Sequence, residues 1–211
     1  MKLLKILTFG ALTLMMLPLA VACTEEDDEE PEFPDDWREI NETYFANLSD
    51  SVIALLEADP DRTDWRRIKK WSLDPDSETD SVDYIIVEII ESGDESSGYP
   101  IFTDSVEVSY CGRLLPSLSY PSGYVFDRTY YGDYDAEISA STSLAVGNSS
   151  GTSLIDGFAT ALQYMCIGDH WVITIPYQLG YGKSGSSSIP GYSTLIFELV
   201  LHDFWPEEAE E

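Results

Sequence analysis

Residues 154–182 constrain the architecture of this chain more tightly than any other stretch. Leu154, Ile155, Phe158, Ala161, Leu162 and Met165 recur at helical spacing. After Gly168-Asp169, the run Trp171-Val172-Ile173-Thr174-Ile175-Pro176 alternates as a strand does, and a loop rich in Tyr and Gly follows. Further strands are expected upstream. Tyr84-Ile85-Ile86-Val87-Glu88-Ile89-Ile90 is β-branched and bounded by polar turns, with residues 92–98 as a loop, and Val106-Glu107-Val108-Ser109-Tyr110 alternates more cleanly. Tyr124-Val125-Phe126-Asp127 and residues 138–146 add two more, separated by a Tyr- and Asp-rich excursion over 128–135. Several antiparallel strands with a single amphipathic helix late in the chain predict an α+β domain whose antiparallel sheet wraps around that helix.

The N-terminus predicts an exported protein. Lys2 and Lys5 precede an apolar, small-residue stretch over 6–22 that contains Pro18 and ends Leu19-Ala20-Val21-Ala22-Cys23, the pattern of a cleaved signal rather than a membrane span. A cysteine directly after Ala-x-Ala resembles a bacterial lipobox, which implies that the Cys23 thiol receives diacylglycerol and becomes the new N-terminus; the alternative is an ordinary signal peptide with an incidental cysteine. Residues 24–30, Thr followed by six acids, cannot bury apolar area and are expected to be a solvated tether. An acidic stretch behind the lipidated cysteine resembles the surface-sorting signal of Bacteroidetes lipoproteins, which implies an envelope protein anchored to the outer membrane and exposed at the surface; the alternative is a periplasm-facing tether with ordinary charge.

The formal net charge is −28, and removing residues 1–22, with two lysines and no acid, makes it −30. Nucleic acid and anionic lipid surfaces are therefore disfavoured as partners. With Cys23 assigned to lipid, Cys111 and Cys166 are left either to form a disulfide in an oxidising compartment or to act as two small buried hydrophobes. Neither has an adjacent His or Lys to make a reactive thiolate.

Ahead of the strands, Asp35-Asp36 opens a helical pattern of Trp37, Ile40, Tyr44, Leu48, Val52 and Leu55-Leu56 that stops at Asp59-Pro60. In residues 61–74, Trp65, Ile68 and Trp71 fit one side of a short helix between Arg66, Arg67, Lys69 and Lys70. This basic cluster is expected to neutralise acidic surface on the same molecule, with contact to a partner as the alternative. The chain then divides into a signal (1–22), an acidic tether (23–35), an N-terminal helical accessory segment (36–81), the α+β domain (82–205) and an acidic tail (206–211).

The α+β segment resembles FKBP-type peptidyl-prolyl cis-trans isomerases. Val108-Ser109-Tyr110-Cys111-Gly112 is similar to the family's opening Val-x-Tyr-x-Gly strand, Leu179-Gly180-Tyr181-Gly182 to its Ala-Tyr-Gly turn, Ile189-Pro190 to its loop tip, and Thr194-Leu195-Ile196-Phe197 to its closing strand. The resemblance implies isomerisation of X-Pro bonds in polypeptide substrates, without cofactor or metal, and binding of macrolide-type inhibitors. It implies catalytic roles for Asp127, Tyr181 and Phe158, and substrate-binding roles for Tyr110, Phe126, Leu154, Ile155, Ile189 and Phe197. Phe158 would form the floor, Tyr110, Phe126 and Phe197 the walls; Ile155 would offer its backbone N–H, Tyr181 its hydroxyl, and Asp127 would act as an orienter rather than a proton carrier.

Several positions depart from the family. Phe158 stands where Trp is usual, Thr142 falls near an expected wall aromatic, residues 147–153 are longer than usual, and residues 183–188 are Ser-rich. The resemblance therefore implies an isomerase of reduced efficiency that assists exported or envelope proteins, and the alternative is a non-catalytic surface module that binds proline-containing or extended ligands. Other chemistries find little support. His170 and His202 are expected at the surface or on edge strands, no Cys/His metal spacing or phosphate-cradling loop is present, and Asp133 and Asp135 read as solvated loop or a weak calcium site.

Overall fold

A computed structural model describes residues 33–74, 76–147 and 154–206. The export signal, Cys23, the acidic tether up to residue 32, most of the segment 147–153 and residues 207–211 lie outside the described residues. Among the described residues no helix is long and apolar enough to cross a membrane.

Among the described residues seven strands form one antiparallel sheet: β1 (Trp65–Lys69), β2 (Tyr84–Glu91), β3 (Asp104–Leu114), β4 (Val125–Arg128), β5 (Thr142–Ala145), β6 (His170–Ile175) and β7 (Leu195–Pro206). Their spatial order is β1-β2-β6-β7-β3-β4, and β5 pairs with β3 beside Ser105–Val108 while β4 pairs with it beside Cys111–Arg113. The long β3–β7 ladder, from Asp104↔Pro206 to Leu114↔Leu195, is the spine of the sheet.

Among the described residues there are two α-helices, α1 (Trp37–Ala58) and α2 (Asp156–Leu162). The sheet wraps α2 as expected, yet α2 is buried on every side rather than amphipathic: Gly157 through Leu162 are all buried. Close approach demands a residue without a side chain at Gly157, because a Cβ there would collide with the Ile175 side chain of β6. Phe158, Ala161 and Leu162 then join Ile85, Val87, Val108, Ile173, Leu199 and Leu201 in one apolar core.

Residues 61–74 differ from the expected short helix. Trp65–Lys69 is a strand, paired with β2 from Trp65↔Glu88 to Lys69↔Tyr84. The spacing of Trp65, Ile68 and Trp71 fits a helix locally, but the otherwise open backbone edge of β2 supplies a ladder that an isolated helical turn cannot match. The accessory segment therefore contributes a strand to the main sheet, as well as the helix α1.

The face that α1 buries also differs from the apolar pattern. Trp37, Asn41, Phe45, Ser49 and Val52 are buried, whereas Ile40, Tyr44 and Leu55 remain more than a third exposed. Two polar residues sit on the packed face because one of them is bonded across the interface. The Asn41 side chain accepts from the Thr194 backbone N–H at 2.7 Å and donates to the Trp37 carbonyl at 2.7 Å. Trp37 Nε1 donates to Ser193 Oγ at 2.9 Å, and the Arg38 guanidinium lies 4.6 Å from the Tyr192 ring centroid. Phe45 and Val52 pack on Ile86. Helix α1 is thus docked on its own domain, at the turn that leads into β7.

Cys111 and Cys166 are buried, unpaired thiols, which leaves the small-hydrophobe reading. His170 and His202 lie on β6 and β7, inner strands rather than edges. His170 Nε2 meets Glu198 Oε1 at 2.9 Å, and His202 Nε2 meets Ser109 Oγ at 2.8 Å.

Candidate functional site

Six segments converge on a cavity of about 230 Å³, lined by Tyr110 of β3, Asp127 of β4, Leu144 of β5, Leu154, Ile155 and Phe158 around the start of α2, Tyr181, and Phe197 of β7. That volume falls below the ~300–1,000 Å³ of pockets that enclose drug-sized ligands. It suits one compact ring inserted from a longer chain.

The strand pleat explains the walls. Val106, Val108, Tyr110 and Gly112 point to the same side of β3. Gly112, opposite Phe197 and Asp127 in the two flanking ladders, must stay bare, since a Cβ there would lie 2.6 Å from Phe197 Cε1 and 2.7 Å from Phe126 Cζ. The rings close over it. Phe158 is 3% exposed and forms the floor, meeting Phe197 edge-on at 5.0 Å between centroids and Tyr110 at 5.7 Å. Phe126 meets Phe197 at 5.4 Å and 87° and is not among the residues that line the cavity. Edge-to-face pairs of this kind add about 0.5–1.5 kcal/mol each beyond area burial and hold the rings at fixed tilts.

Polar groups are few and oriented. The Tyr110 hydroxyl donates to Asp127 Oδ2 at 2.9 Å, while Asp127 Oδ1 accepts the Arg128 backbone N–H at 2.9 Å. Burial, reinforced by the hydrogen bond and charge of Asp127, pushes the Tyr110 phenol well above the usual tyrosine range. Burial and then the Asp127 charge raise Tyr181 as well. Both phenols therefore stay neutral at physiological pH and can act only as hydrogen-bond donors and acceptors. Tyr181 is more than a third exposed at the rim. The Ile155 carbonyl accepts from Phe158 and Ala159, each at 3.0 Å, which makes Ile155 the N-cap of α2; its own N–H precedes the helix ladder.

Of the nine residues expected from sequence, seven lie around this one cavity, Asp127, Tyr181, Phe158, Tyr110, Leu154, Ile155 and Phe197. Phe126 and Ile189 do not. Ile189 is 7% exposed and packs into the core, its backbone bridged to Ser186. Leu144 is the wall residue that sequence reasoning missed. Thr142 and Leu144 share one face of β5, and the strand alternation could have indicated that the wall falls two residues beyond Thr142. Among the described residues no three His, Cys, Asp or Glu side chains converge to hold a metal ion, and Asp135 Oδ1 instead accepts the Glu137 N–H at 2.9 Å.

A sheet wrapped on a short buried helix, with a small aromatic hollow between them, defines an α+β class of domain. Comparisons with known proteins specify it further. Residues 100–202 match the family model of FKBP-type peptidyl-prolyl cis-trans isomerase. It is 36% identical over 103 residues to the FKBP-type 22 kDa peptidyl-prolyl cis-trans isomerase of Escherichia coli, covering 48% of this chain and 42% of that one. It is 33% identical over 98 residues to FK506-binding protein 2 of Aspergillus oryzae, covering 46% of this chain and 63% of the relative. The chain thus spans less than half of the bacterial relative and under two thirds of the fungal one. Its fold is similar to the crystal structure of a peptidyl-prolyl cis-trans isomerase from Pseudomonas syringae pv. tomato, with a TM-score of 0.52, 21% identity, and coverage of 82% of this chain and 98% of that one.

Proposed function

We propose that this protein is a peptidyl-prolyl cis-trans isomerase that assists the folding of exported or cell-envelope proteins, working from a lipid anchor at Cys23 on the outer membrane. The observation that carries the catalytic reading is the closed ring of Tyr110, Phe158 and Phe197 around one small hollow, with the Tyr110 hydroxyl bonded to Asp127.

The reaction suits such a site. Cis and trans X-Pro amides differ by only ~0.5–1 kcal/mol, but rotation between them faces a barrier of ~18–20 kcal/mol because twisting abolishes amide resonance. No bond to the protein is required. The site must bind the twisted amide better than either planar form. The rings of Tyr110, Phe158 and Phe197 grip the proline ring and displace water from the carbonyl, whose planar, polarised form water solvates best. The Tyr181 hydroxyl and the Ile155 N–H donate to substrate carbonyls and hold the chain on either side while the bond turns. Asp127 orients the Tyr110 phenol. Macrolide-type inhibitors would enter the same hollow, with Leu144 replacing an aromatic contact.

The test is an isomerisation assay on a proline peptide with the wild-type protein, Asp127→Ala and Tyr181→Phe. The reading expects acceleration over the uncatalysed rate, reduced in both variants. No acceleration by the wild type would leave a proline-binding module without turnover. The anchor has its own test: mass spectrometry of membrane-extracted protein should find Cys23 acylated at its N-terminus, and an unmodified Cys23 would refute it.

A further inference from the structure

Arg62, Arg66, Arg67, Lys69 and Lys70 are five of the eleven Lys and Arg residues in a chain of net charge −28. Three of them are already engaged within the molecule. Arg62 pairs with Asp64 at 3.0 Å, Lys70 with Asp156 at 2.5 Å, and Lys69 donates to the Asp74 carbonyl at 2.8 Å. Arg66 and Arg67 are different, since among the described residues neither meets a carboxylate. Their guanidinium groups lie over rings instead, Arg67 at 3.4 Å from the Tyr84 centroid and Arg66 at 5.5 Å from that of Trp171. Arg67 Nε is buried and has no hydrogen-bond partner.

Both arginines belong to β1, which pairs with β2 alone among the described residues and so forms an edge of the sheet. The ladder fixes which backbone groups face outward. Ile89 N–H donates to the Asp64 carbonyl and Lys70 N–H to the Asp83 carbonyl, so the hydrogen-bonded pairs fall at even positions of β1 and the backbone of Trp65 and Arg67 points away from β2. Beside this edge runs a groove of about 420 Å³. Leu56 of α1, Trp65, Arg66, Arg67, Ile68 and Tyr164 help to line it. Consecutive strand residues point to opposite faces, so Trp65 and Arg67 can share one groove with Arg66 and Ile68 only if it follows the strand edge itself.

We propose that this edge is a docking site for an extended, acidic segment of a partner polypeptide, added as an eighth strand against β1. The backbone of Trp65 and Arg67 supplies the ladder, and Arg66 and Arg67, one on each face, receive carboxylates from neighbouring residues of the added strand. Leu56, Trp65 and Tyr164 cover its apolar side chains. The same cations repel a second copy of this edge, which keeps the strand open to a partner of opposite charge. Elsewhere the strongly acidic surface repels such a segment, so the patch also confines where it can land. The site is separate from the aromatic cavity and does not depend on isomerase activity.

The experiment is fluorescence anisotropy of a dye-labelled, proline-free peptide of alternating Glu and Val, titrated with the full chain. A peptide with Lys in place of Glu, and one N-methylated along a single backbone edge, serve as controls. The acidic peptide should bind saturably, weaken as salt rises from about 0.1 M to about 1 M, and lose at least about tenfold in affinity with Arg66→Glu. Arg66→Gln, at an exposed position, guards against a folding defect and should show a smaller loss in the same direction. Absence of binding, equal binding of the Lys peptide, or indifference to Arg66→Glu would overturn the proposal. So would unchanged binding of the N-methylated peptide, which would make the contact one of side chains alone. A dimer that dissociates on Arg66→Glu would assign the edge to a second copy and overturn it as well.

Discussion

Asn41→Ala tests whether the N-terminal helix is an integral part of the α+β domain. Asn41 is fully buried, and its amide bonds both the Trp37 carbonyl and the Thr194 N–H, each at 2.7 Å. Alanine removes both. Thr194 is 1% exposed, and its N–H loses its acceptor. An orphaned buried donor costs about 1–3 kcal/mol, and the second lost hydrogen bond adds about 1 kcal/mol. We expect a loss of roughly 2–4 kcal/mol, a large share of the ~5–15 kcal/mol available to a domain. At about 2–4 °C per kcal/mol for a chain of this size, the thermal midpoint followed by circular dichroism should fall by about 4–16 °C. Activity should fall as well, because Thr194 leads into β7 and its pocket residue Phe197. A midpoint within about 1 °C of wild type would refute the buried bridge and with it the docking of α1.

Two further outcomes follow from the same geometry. Gly112→Ala forces Phe126 and Phe197 apart; we expect a loss of about 1–3 kcal/mol in urea unfolding together with reduced isomerisation, and full activity would show that those ring positions do not matter. Burial holds His202 below the usual histidine range, so the unfolded chain binds its proton first and this group's contribution is present above about pH 6.5 and lost as pH falls through its lower folded value. The urea midpoint of wild type should therefore drop more between pH 7.5 and pH 5 than that of His202→Gln, and equal drops would contradict this.

Much of the fold is written in local patterns, and the exceptions have identifiable causes. Strands β3 and β6 follow from two-residue alternation, β2 from a β-branched run bounded by polar turns, and β7 from the likeness of residues 194–197 to a closing strand. Helix α1 is also legible, but its buried face is not, since Asn41 and Ser49 are polar and carry no apolar signal; a bond to Thr194, more than a hundred residues away, selects that face. Strand β1 is misleading for a related reason. Its Trp and Ile spacing fits a helix, and only the open edge of β2 makes it a strand. In the site, Tyr110, Asp127, Phe158, Tyr181 and Phe197 emerge from an ordered set of motifs. Phe126 packs against Phe197 without lining the cavity and Ile189 packs into the core, because a motif fixes a position along the chain and not the tilt of a ring. Leu144 carries no motif at all and enters through the pairing of β5 with β3, Val106↔Leu144.

The most direct test of the account fills the hollow without touching the core. Leu144 lines it yet is only partly buried, so Leu144→Trp can place an indole where the proline ring would sit. Proline-peptide isomerisation by the variant should fall at least about tenfold, equivalent to about 1.4 kcal/mol of lost transition-state binding, with a thermal midpoint close to wild type. Undiminished isomerisation with the cavity occupied would mean that the chemistry happens elsewhere.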